Sequence, residues 1–300
     1  MPEADIYQER WQSALAQARG KASESGKQSE RGKGYKIVEI GWEQHVLIDE
    51  SAGIVYRYPR HAAAAAKLAD EVKVLADIHR RRWPVKLPVM LEYNEVFASY
   101  EYIPGEVLTA ATVSSLKAED FERIGRRLGE FLALFHQLDF SIVAQKQTSH
   151  STSLLQYYSR RINNSSSARF KEKAVPELAA LSEQAVQTGQ ISRVVVHGDL
   201  HGPNVVIDPR SRQLAGVIDL SEMEIGDPHQ DFRKLFMTDP RLLGPAVTAY
   251  GQNGGRALDE ELARLWAYVN EWANLCYFAG QPDNFTYQRA QRHLQLWDKL

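Results

Sequence analysis

The chain has 300 residues, a formal net charge of −2 and a single cysteine, Cys276. A chain of this length is too long for one simple hydrophobic core. Its near-neutral charge argues against a general nucleic-acid or membrane-surface binder. One cysteine excludes both an intrachain disulfide and a thiolate zinc cluster, and a reducing compartment is the expected one. The start of the chain lacks a signal-peptide pattern, and no apolar run approaches about 18 residues. We therefore expect a cytoplasmic monomer that binds neither nucleic acid nor membrane.

The first hundred residues predict a small sheet with one helix against it. A short helix at about 4–19 is followed by a tract at 20–34 that is rich in Ser, Lys, Glu and Gly, as is typical of a mobile connection. Alternating apolar residues then predict strands at 35–40, 45–49 and 54–58, a helix at 61–80, and strands at 89–93 and 96–102. The order β-β-β-α-β-β favours an antiparallel arrangement.

After the turn at Pro104-Gly105 the pattern changes to long helices, interrupted by a β segment at 191–220. We therefore divide the chain near Ile103. Residues 1–34 form a leading helix and polar connection, residues 35–103 a small β-rich lobe, and residues 104–300 a larger helical lobe. The fold class is α+β with two lobes.

The most informative segment contains the pattern His197-x-Asp199-x4-Asn204. Apolar runs at 205–207 and 215–218 follow it and predict a β-hairpin. If the turn centres near Ser211, Asn204 and Asp219 face each other about 5 Å apart. An amide oxygen and a carboxylate at one edge suit Mg²⁺, and Asp199 reaches the same cleft as a separate carboxylate. Phosphoryl transfer requires this set: one carboxylate to activate a hydroxyl and two oxygen ligands for a nucleotide-bound metal.

This pattern, followed by Ile218-Asp219, resembles the catalytic and metal-binding segments of the aminoglycoside phosphotransferase family of protein-kinase-like small-molecule kinases. The run HGDLHGPNVVID departs from the family signature only in its Gly-Pro order. The resemblance covers roughly residues 35–300. It implies a two-lobed protein-kinase-like fold with Asp199 as the catalytic base and Asn204 and Asp219 as Mg²⁺ ligands.

The first lobe contains matching candidates for nucleotide binding. By the resemblance, Gly41 belongs to the turn over the phosphates, and Arg57 in the third strand is a phosphate-contacting cation paired with Glu71 of the helix. The family commonly has Lys where Arg57 stands, and the guanidinium fork is not equivalent to an ammonium. The segment from Glu101 to Ile103 resembles the hinge whose backbone binds the purine. These residues do not distinguish ATP from GTP.

Acidic residues follow the predicted hairpin, with five acids and no Lys or Arg at 219–231. An acidic wall suits a cationic acceptor such as an aminoglycoside. The candidate acceptor-binding residues are Glu222, Glu224, Asp227, Asp231 and Glu271. The alternative is a metal site plus helix caps, and by the family pattern GDPxxDF Asp227 and Asp231 position the C-terminal helices. Four aromatic residues either line the acceptor pocket or belong to the core: Trp266, Trp272, Tyr277 and Trp297.

The sequence therefore predicts Mg²⁺-dependent transfer of the γ-phosphoryl group of ATP or GTP to a hydroxyl of a small molecule, most readily an aminoglycoside-type antibiotic. A macrolide, an endogenous sugar or an amino alcohol is the alternative acceptor. A catalytically weak kinase-like binding protein is the alternative function, favoured by Arg57 and by Leu220-Ser221 after Asp219. The DxHG pattern at 199–202 superficially resembles binuclear metallophosphatases, but no GNHE-like segment follows it.

Overall fold

A five-stranded antiparallel sheet forms in the first third of the chain. The computed structural model describes residues 3–24, 35–38, 43–144, 154–189 and 193–299. After helix α1 (Glu3–Glu24), the sheet contains β1 (Lys36–Val38), β2 (Gln44–Asp49), β3 (Ile54–Pro59), β4 (Met90–Tyr93) and β5 (Ala98–Glu101), with α2 (Ala62–Ile78) between β3 and β4. The strand order is β1-β2-β3-β5-β4, so the predicted order of elements is confirmed.

Local side chains set the limits of these elements. His61 caps α2 by accepting a hydrogen bond from the Ala64 amide, and Leu68 and Leu75 bury one face of this helix. β5 begins at Ala98, two residues later than predicted. The Asn94 carboxamide oxygen accepts hydrogen bonds from the backbone amides of residues 96 and 97, which come directly before β5, so these residues form a turn.

Helix α1 packs against the sheet through Trp11. The Trp11 ring is stacked on His45 with 4.6 Å between centroids and 3° between planes, and Leu15, Leu47 and Tyr58 complete this cluster. The helix continues to Glu24, beyond the predicted end at about Arg19, so the first residues of the predicted polar connection are helical. The rest of the predicted connection, residues 25–34, lies outside the described residues.

Helices form most of the remaining chain, together with two small sheets, β6-β8-β9 and β10-β7. The elements are β6 (Glu106–Val107), α3 (Ala110–Ser114), α4 (Ala118–Phe135), α5 (Ser141–Ala144), α6 (Leu154–Asn163), α7 (Ala168–Gly189), β7 (Val194–Val196), β8 (Val205–Ile207), β9 (Leu214–Val217), β10 (Glu224–Gly226), α8 (His229–Thr238), α9 (Leu243–Gln252), α10 (Glu260–Tyr277) and α11 (Phe285–Leu296). β6, which pairs with β8, was not predicted.

The helices of the second half of the chain pack closely against one another. Helices α4 and α9 approach closely at Gly129, where a Cβ would lie 2.1 Å from the Ala246 carbonyl oxygen. One hydrophobic cluster contains Leu75, Tyr100 and Phe232, so apolar side chains from both sides of Ile103 form a continuous core. Among the described helices, none combines the length and apolar character needed to span a membrane.

Candidate active site

The hairpin β8–β9 has a register that differs by one residue from the prediction. Val205 pairs with Val217, and the Ile218 amide donates to the Asn204 carbonyl at 3.0 Å. Asn204 therefore lies opposite Ile218, and the prediction that it faces Asp219 is wrong. Asp219 follows at φ 63°, a left-handed conformation that Asp tolerates better than most residues. This backbone turn directs the Asp219 carboxylate toward the five-stranded sheet, where it meets Arg57.

The loop between β7 and β8 contains Asp199 and is held by Asp231 of α8. The Asp231 carboxylate accepts hydrogen bonds from the His197 amide at 2.8 Å and the Gly198 amide at 2.9 Å. It is completely buried, and His136 Nε2 lies 3.0 Å from Asp231 Oδ2, the oxygen that also accepts from the His197 amide. Burial raises the pKa of this carboxyl, but the hydrogen bond and charge of His136 outweigh burial and lower it. The prediction that Asp231 binds the acceptor is wrong because its oxygens are buried under the loop.

Gly198 is required by the shape of this loop. Its φ is 82°, and a Cβ at this position would lie 2.4 Å from the Glu222 carbonyl oxygen. An L side chain meets both a strained backbone and a backbone clash here. The close approach keeps the loop with Asp199 against the segment that follows Asp219.

Three described side chains contact the Asp199 carboxylate: those of Asn204, Lys234 and His201. The Asn204 amide nitrogen donates to the Asp199 carbonyl at 2.8 Å and to its Oδ2 at 3.3 Å. Lys234 Nζ donates to Oδ1 at 2.7 Å, and His201 Nδ1 lies 3.5 Å from Oδ2. Burial raises the pKa of the Asp199 carboxyl, but the charge and hydrogen bond of Lys234, together with the His201 ring, outweigh burial and lower the pKa. The carboxylate is therefore ionised at neutral pH, as an acceptor of a hydroxyl proton must be.

Arg57 connects the sheet, helix α2 and the hairpin. Its Nη1 lies 2.8 and 2.7 Å from the two Glu71 carboxylate oxygens, its Nη2 donates to Asp219 Oδ1 at 3.0 Å, and its Nε donates to Gln44 at 3.0 Å. Partial burial raises the pKa of Asp219, but the Arg57 charge and the Ser221 hydroxyl lower it to about 2. Burial raises the pKa of the fully buried Glu71 carboxyl. The planar guanidinium uses its separate N–H groups to bind three partners, which one ammonium cannot match geometrically.

The donor set near Asn204 and Asp219 fits a hard divalent cation. The side-chain Nδ2 of Asn204 makes hydrogen bonds within the loop, and no described contact involves its Oδ1. The Asp219 carboxylate binds Arg57 and Ser221 through Oδ1, and no described contact uses its Oδ2. Mg²⁺ is commonly held by one or two such protein oxygens together with substrate phosphates. The described residues thus leave one amide oxygen and one carboxylate oxygen for a metal.

Two of the three backbone amides in the predicted hinge, 101–103, donate hydrogen bonds within the fold. The Glu101 amide donates to the Val89 carbonyl and the Tyr102 amide to the Gly53 carbonyl, each at 2.8 Å. The Ile103 amide has no hydrogen bond among the described residues, although its side chain is buried. Gly41, predicted to lie over the phosphates, is outside the described residues.

Three other acids of the predicted acceptor wall already have partners. Glu222 accepts a hydrogen bond from Lys67 at 2.6 Å, and Asp227 contacts the His229 ring at 2.5 Å. Glu271 is completely buried and contacts His293 at 2.8 Å, with Asn274 donating to its other oxygen at 2.9 Å.

The prediction that Glu271 binds the acceptor is therefore wrong, because neighbouring helices enclose its carboxylate. Glu224 lies half-buried in β10 and also has a partner.

The predicted aromatic set belongs mostly to the core. Trp266 and Trp272 are buried, and Trp297 packs on Phe236 with 4.8 Å between ring centroids. Tyr277 is 56% exposed, and its ring lies 4.2 Å from the Arg161 guanidinium carbon. Packing thus accounts for most of this pattern without a ligand.

Together the sheet, the hairpin and the buried loop anchor define a kinase-like fold whose cleft contains Asp199, Asn204, Asp219 and Arg57. A family model described as the phosphotransferase enzyme family matches residues 34–295. The chain belongs to this family, and the membership supports a kinase-type enzyme.

Solved structures of antibiotic phosphotransferases have the same fold. The GDP and kanamycin complex of APH(2'')-IIIa superposes with a TM-score of 0.73 at 16% identity, covering 94% of this chain and 97% of the other. Macrolide 2'-phosphotransferase type I gives 0.64 at 21% identity, covering 94% and 97%. MphH from Brachybacterium faecium gives 0.65 at 18% identity, covering 92% and 96%.

A curated relative matches only one segment. YcbJ of Bacillus subtilis strain 168, described as uncharacterized, is 35% identical over 82 residues, which is 26% of this chain and 22% of that protein.

Proposed function

We propose that the chain transfers the γ-phosphoryl group of ATP or GTP to a hydroxyl of a small molecule. The observation that carries this proposal is the contact between Asn204 and Asp199 at the entrance to the hairpin that leads to Asp219. Asn204 Nδ2 lies 3.3 Å from Asp199 Oδ2. In this proposal residues 35–103 form the nucleotide-binding lobe and residues 104–300 carry the catalytic and acceptor sites. We also propose that the protein is a cytoplasmic monomer.

Asp199 orients the acceptor hydroxyl and accepts its proton as the oxygen attacks phosphorus. The lowered pKa keeps Asp199 ionised, so that it can accept a hydrogen bond from the hydroxyl and orient it, in a reaction driven mainly by positioning and charge neutralisation. Asn204 and Asp219 would hold Mg²⁺, which supplies positive charge to the nucleotide phosphates. Arg57, kept in place by Glu71, contacts those phosphates from the side of the sheet.

The nucleotide base binds at the hinge in this proposal. The Ile103 amide donates to the purine because the neighbouring Glu101 and Tyr102 amides are already used by the fold. Gly41 remains our candidate for the turn over the phosphates. Both ATP and GTP are compatible with a backbone contact, so the hinge does not select between them.

An aminoglycoside-type antibiotic is the first acceptor class to test, with Glu222, Glu224 and Asp227 as the remaining acidic candidates. The ion pair of Glu222 with Lys67 reduces the negative charge offered to a polycation, and the His229 ring occupies one carboxylate oxygen of Asp227. These contacts favour a second candidate class, hydroxyl compounds with at most one amine, such as macrolides or amino alcohols.

The test is a nucleotide-consumption screen with ATP and GTP separately, over aminoglycosides, macrolides, sugars and amino alcohols. Asp199→Asn should lower turnover by about 100-fold to 10,000-fold because it removes the general base. Asp298→Asn, on an exposed surface of the same lobe, is the control and should retain full turnover. Nucleotide binding without turnover of any acceptor would support the kinase-like binding protein instead.

A further inference from the structure

One face of helix α8 lies along the loop that contains Asp199. Asp231, Lys234 and Thr238 are spaced i, i+3 and i+7, so they share this face. Asp231 anchors the loop start, as described above, and the Thr238 hydroxyl accepts a hydrogen bond from the Gly202 amide at 2.8 Å. Lys234 lies between these two anchors, and its Nζ is 2.7 Å from Asp199 Oδ1.

Lys234 differs from its two neighbours on this face. Asp231 and Thr238 bind backbone amides, whereas Lys234 binds the side chain that we assign as the base. Its side chain retains 18% exposure. The two backbone anchors fix the helix against the loop, so the backbone of Lys234 is held within reach of Asp199.

The cationic side chains near Asp199 and Asp219 differ in how many side-chain partners they bind. Arg57 binds Glu71, Asp219 and Gln44, and Lys67 binds Glu43 and Glu222. Among the described residues, Lys234 Nζ has the single side-chain acceptor Asp199. An ammonium has three N–H donors, so Lys234 retains donors for another anionic group.

We propose that Lys234 is a further catalytic residue, whose ammonium donates to an oxygen of the transferring γ-phosphoryl group. This assignment rests on the proposed function. When the nucleotide is bound, one N–H of Lys234 stays on Asp199 Oδ1 and a second donates to the phosphoryl oxygen, whether or not the acceptor is present. The acceptor hydroxyl then donates to the Asp199 carboxylate.

The acceptor oxygen then forms a bond to phosphorus, and its proton goes to Asp199. The bond from phosphorus to the bridging oxygen breaks, and its electron pair leaves with the nucleoside diphosphate. Lys234 keeps its proton throughout, because its contribution is positive charge beside the equatorial oxygens, where the transition state needs it.

Nucleotide affinity tests this assignment without knowledge of the acceptor. The dissociation constants of a nucleoside diphosphate and of its β,γ-imido triphosphate are measured with Mg²⁺ for wild type, Lys234→Met, Lys234→Arg and Lys299→Met. Lys299 is the matched control, because it is an ion-paired lysine of the same lobe that contacts Glu177. Lys234→Met should reduce the preference for triphosphate over diphosphate by about 10-fold or more, since a hydrogen bond to a charged group is lost.

Lys234→Arg should restore part of this preference, and Lys299→Met should leave it unchanged. Diphosphate affinity should stay within twofold in all variants, which also shows that each one is folded. An unchanged preference in Lys234→Met overturns the assignment and leaves the proposed function intact. Failure of wild type to bind either nucleotide overturns the proposed function itself, and the assignment with it.

Once an acceptor is known, kinetics provide a second test. Lys234→Met should lower kcat by about 100-fold with little change in the KM for the acceptor, as expected for charge stabilisation in the transition state. A purely structural ion pair would instead lower thermal stability and leave kcat of the folded fraction unchanged.

Discussion

Arg57 Nη2 donates a hydrogen bond to Asp219 Oδ1 at 3.0 Å, which joins the third strand of the sheet to the carboxylate that follows the hairpin. The same guanidinium binds both oxygens of Glu71, and the Leu220 amide donates to Glu71 Oε1 at 3.2 Å. Arg57, our candidate for a phosphate contact, and Asp219, our candidate metal ligand, are therefore parts of one network. A change at any member should alter both stability and metal binding.

Arg57→Met should destabilise the protein by about 3–5 kcal/mol, because Glu71 is then a buried carboxylate without its cation. Equilibrium urea unfolding measures this loss. The double variant Arg57→Met/Glu71→Gln should be more stable than Arg57→Met alone, since the unpaired charge is gone. If the second substitution makes the protein less stable still, burial of charge is not the cause of the loss.

Asn204→Ala should raise the Mg²⁺ concentration needed for half-maximal activity. The substitution removes the amide oxygen that no described contact uses, and it also removes the hydrogen bonds to Asp199. Asn204→Asp separates these effects, because it keeps an oxygen ligand but loses the donor. We expect the metal requirement to rise about 10-fold or more in Asn204→Ala and to stay near the wild-type value in Asn204→Asp. Equal shifts in the two variants would argue against Asn204 as a ligand.

Asp231→Asn should reduce stability in a pH-dependent way. The folded-state pKa of Asp231 is lowered below its ordinary value of 3.8, so its contribution is fully present above that pH and is lost as the pH falls through the folded pKa. The difference in unfolding free energy between wild type and Asp231→Asn should therefore be largest at neutral pH and shrink below about pH 4. Urea titrations at pH 7 and at the lowest pH that preserves the fold measure it. The exposed Asp283→Asn should show no such trend.

Gly198→Ala should cost more stability than Gly53→Ala, although both residues have positive φ. An alanine at φ 69° in position 53 meets no atom within 4 Å, so it carries only the backbone penalty of about 1–2 kcal/mol. At position 198 the added Cβ also meets the Glu222 carbonyl oxygen. Thermal unfolding of the two variants isolates the steric part. Equal losses would mean that the loop shifts freely, and Asp199 would then need another explanation for its position.

Local patterns predicted the sheet and the hairpin well, because alternation and turn residues are short-range signals. The one-residue error at Asn204 and Asp219 arises at the turn, because Ile207 pairs with Leu214 and the Asp208 amide donates to the Gln213 carbonyl, so the turn is centred earlier in the chain than predicted. The register shift between Val206 and Ile207 offsets part of this difference, and Asp219 then adopts a left-handed backbone. A bulge and a positive φ each rotate side chains away from the regular pattern.

Long-range packing explains the residues that sequence reasoning missed or misplaced. Lys234 is 35 positions from Asp199, and only the docking of α8 on the loop brings them together. The same docking buries Asp231, and the packing of α11 on α10 brings His293 to Glu271. In a sequence, a carboxylate that braces backbone amides and one that faces a substrate look identical. A spacing of three residues between Asp231 and Lys234 was the available signal, since it places both on one helix face.

The three contacts of α8 with the loop make the length of this helical segment as important as its composition. One residue inserted between Asp231 and Lys234 would rotate everything after it by about 100° around the helix axis. Lys234 and Thr238 would then leave the loop together while Asp231 stayed in place. A substitution within this segment keeps the spacing of the three contacts, whereas any insertion or deletion from Asp231 to Thr238 separates Lys234 from Asp199.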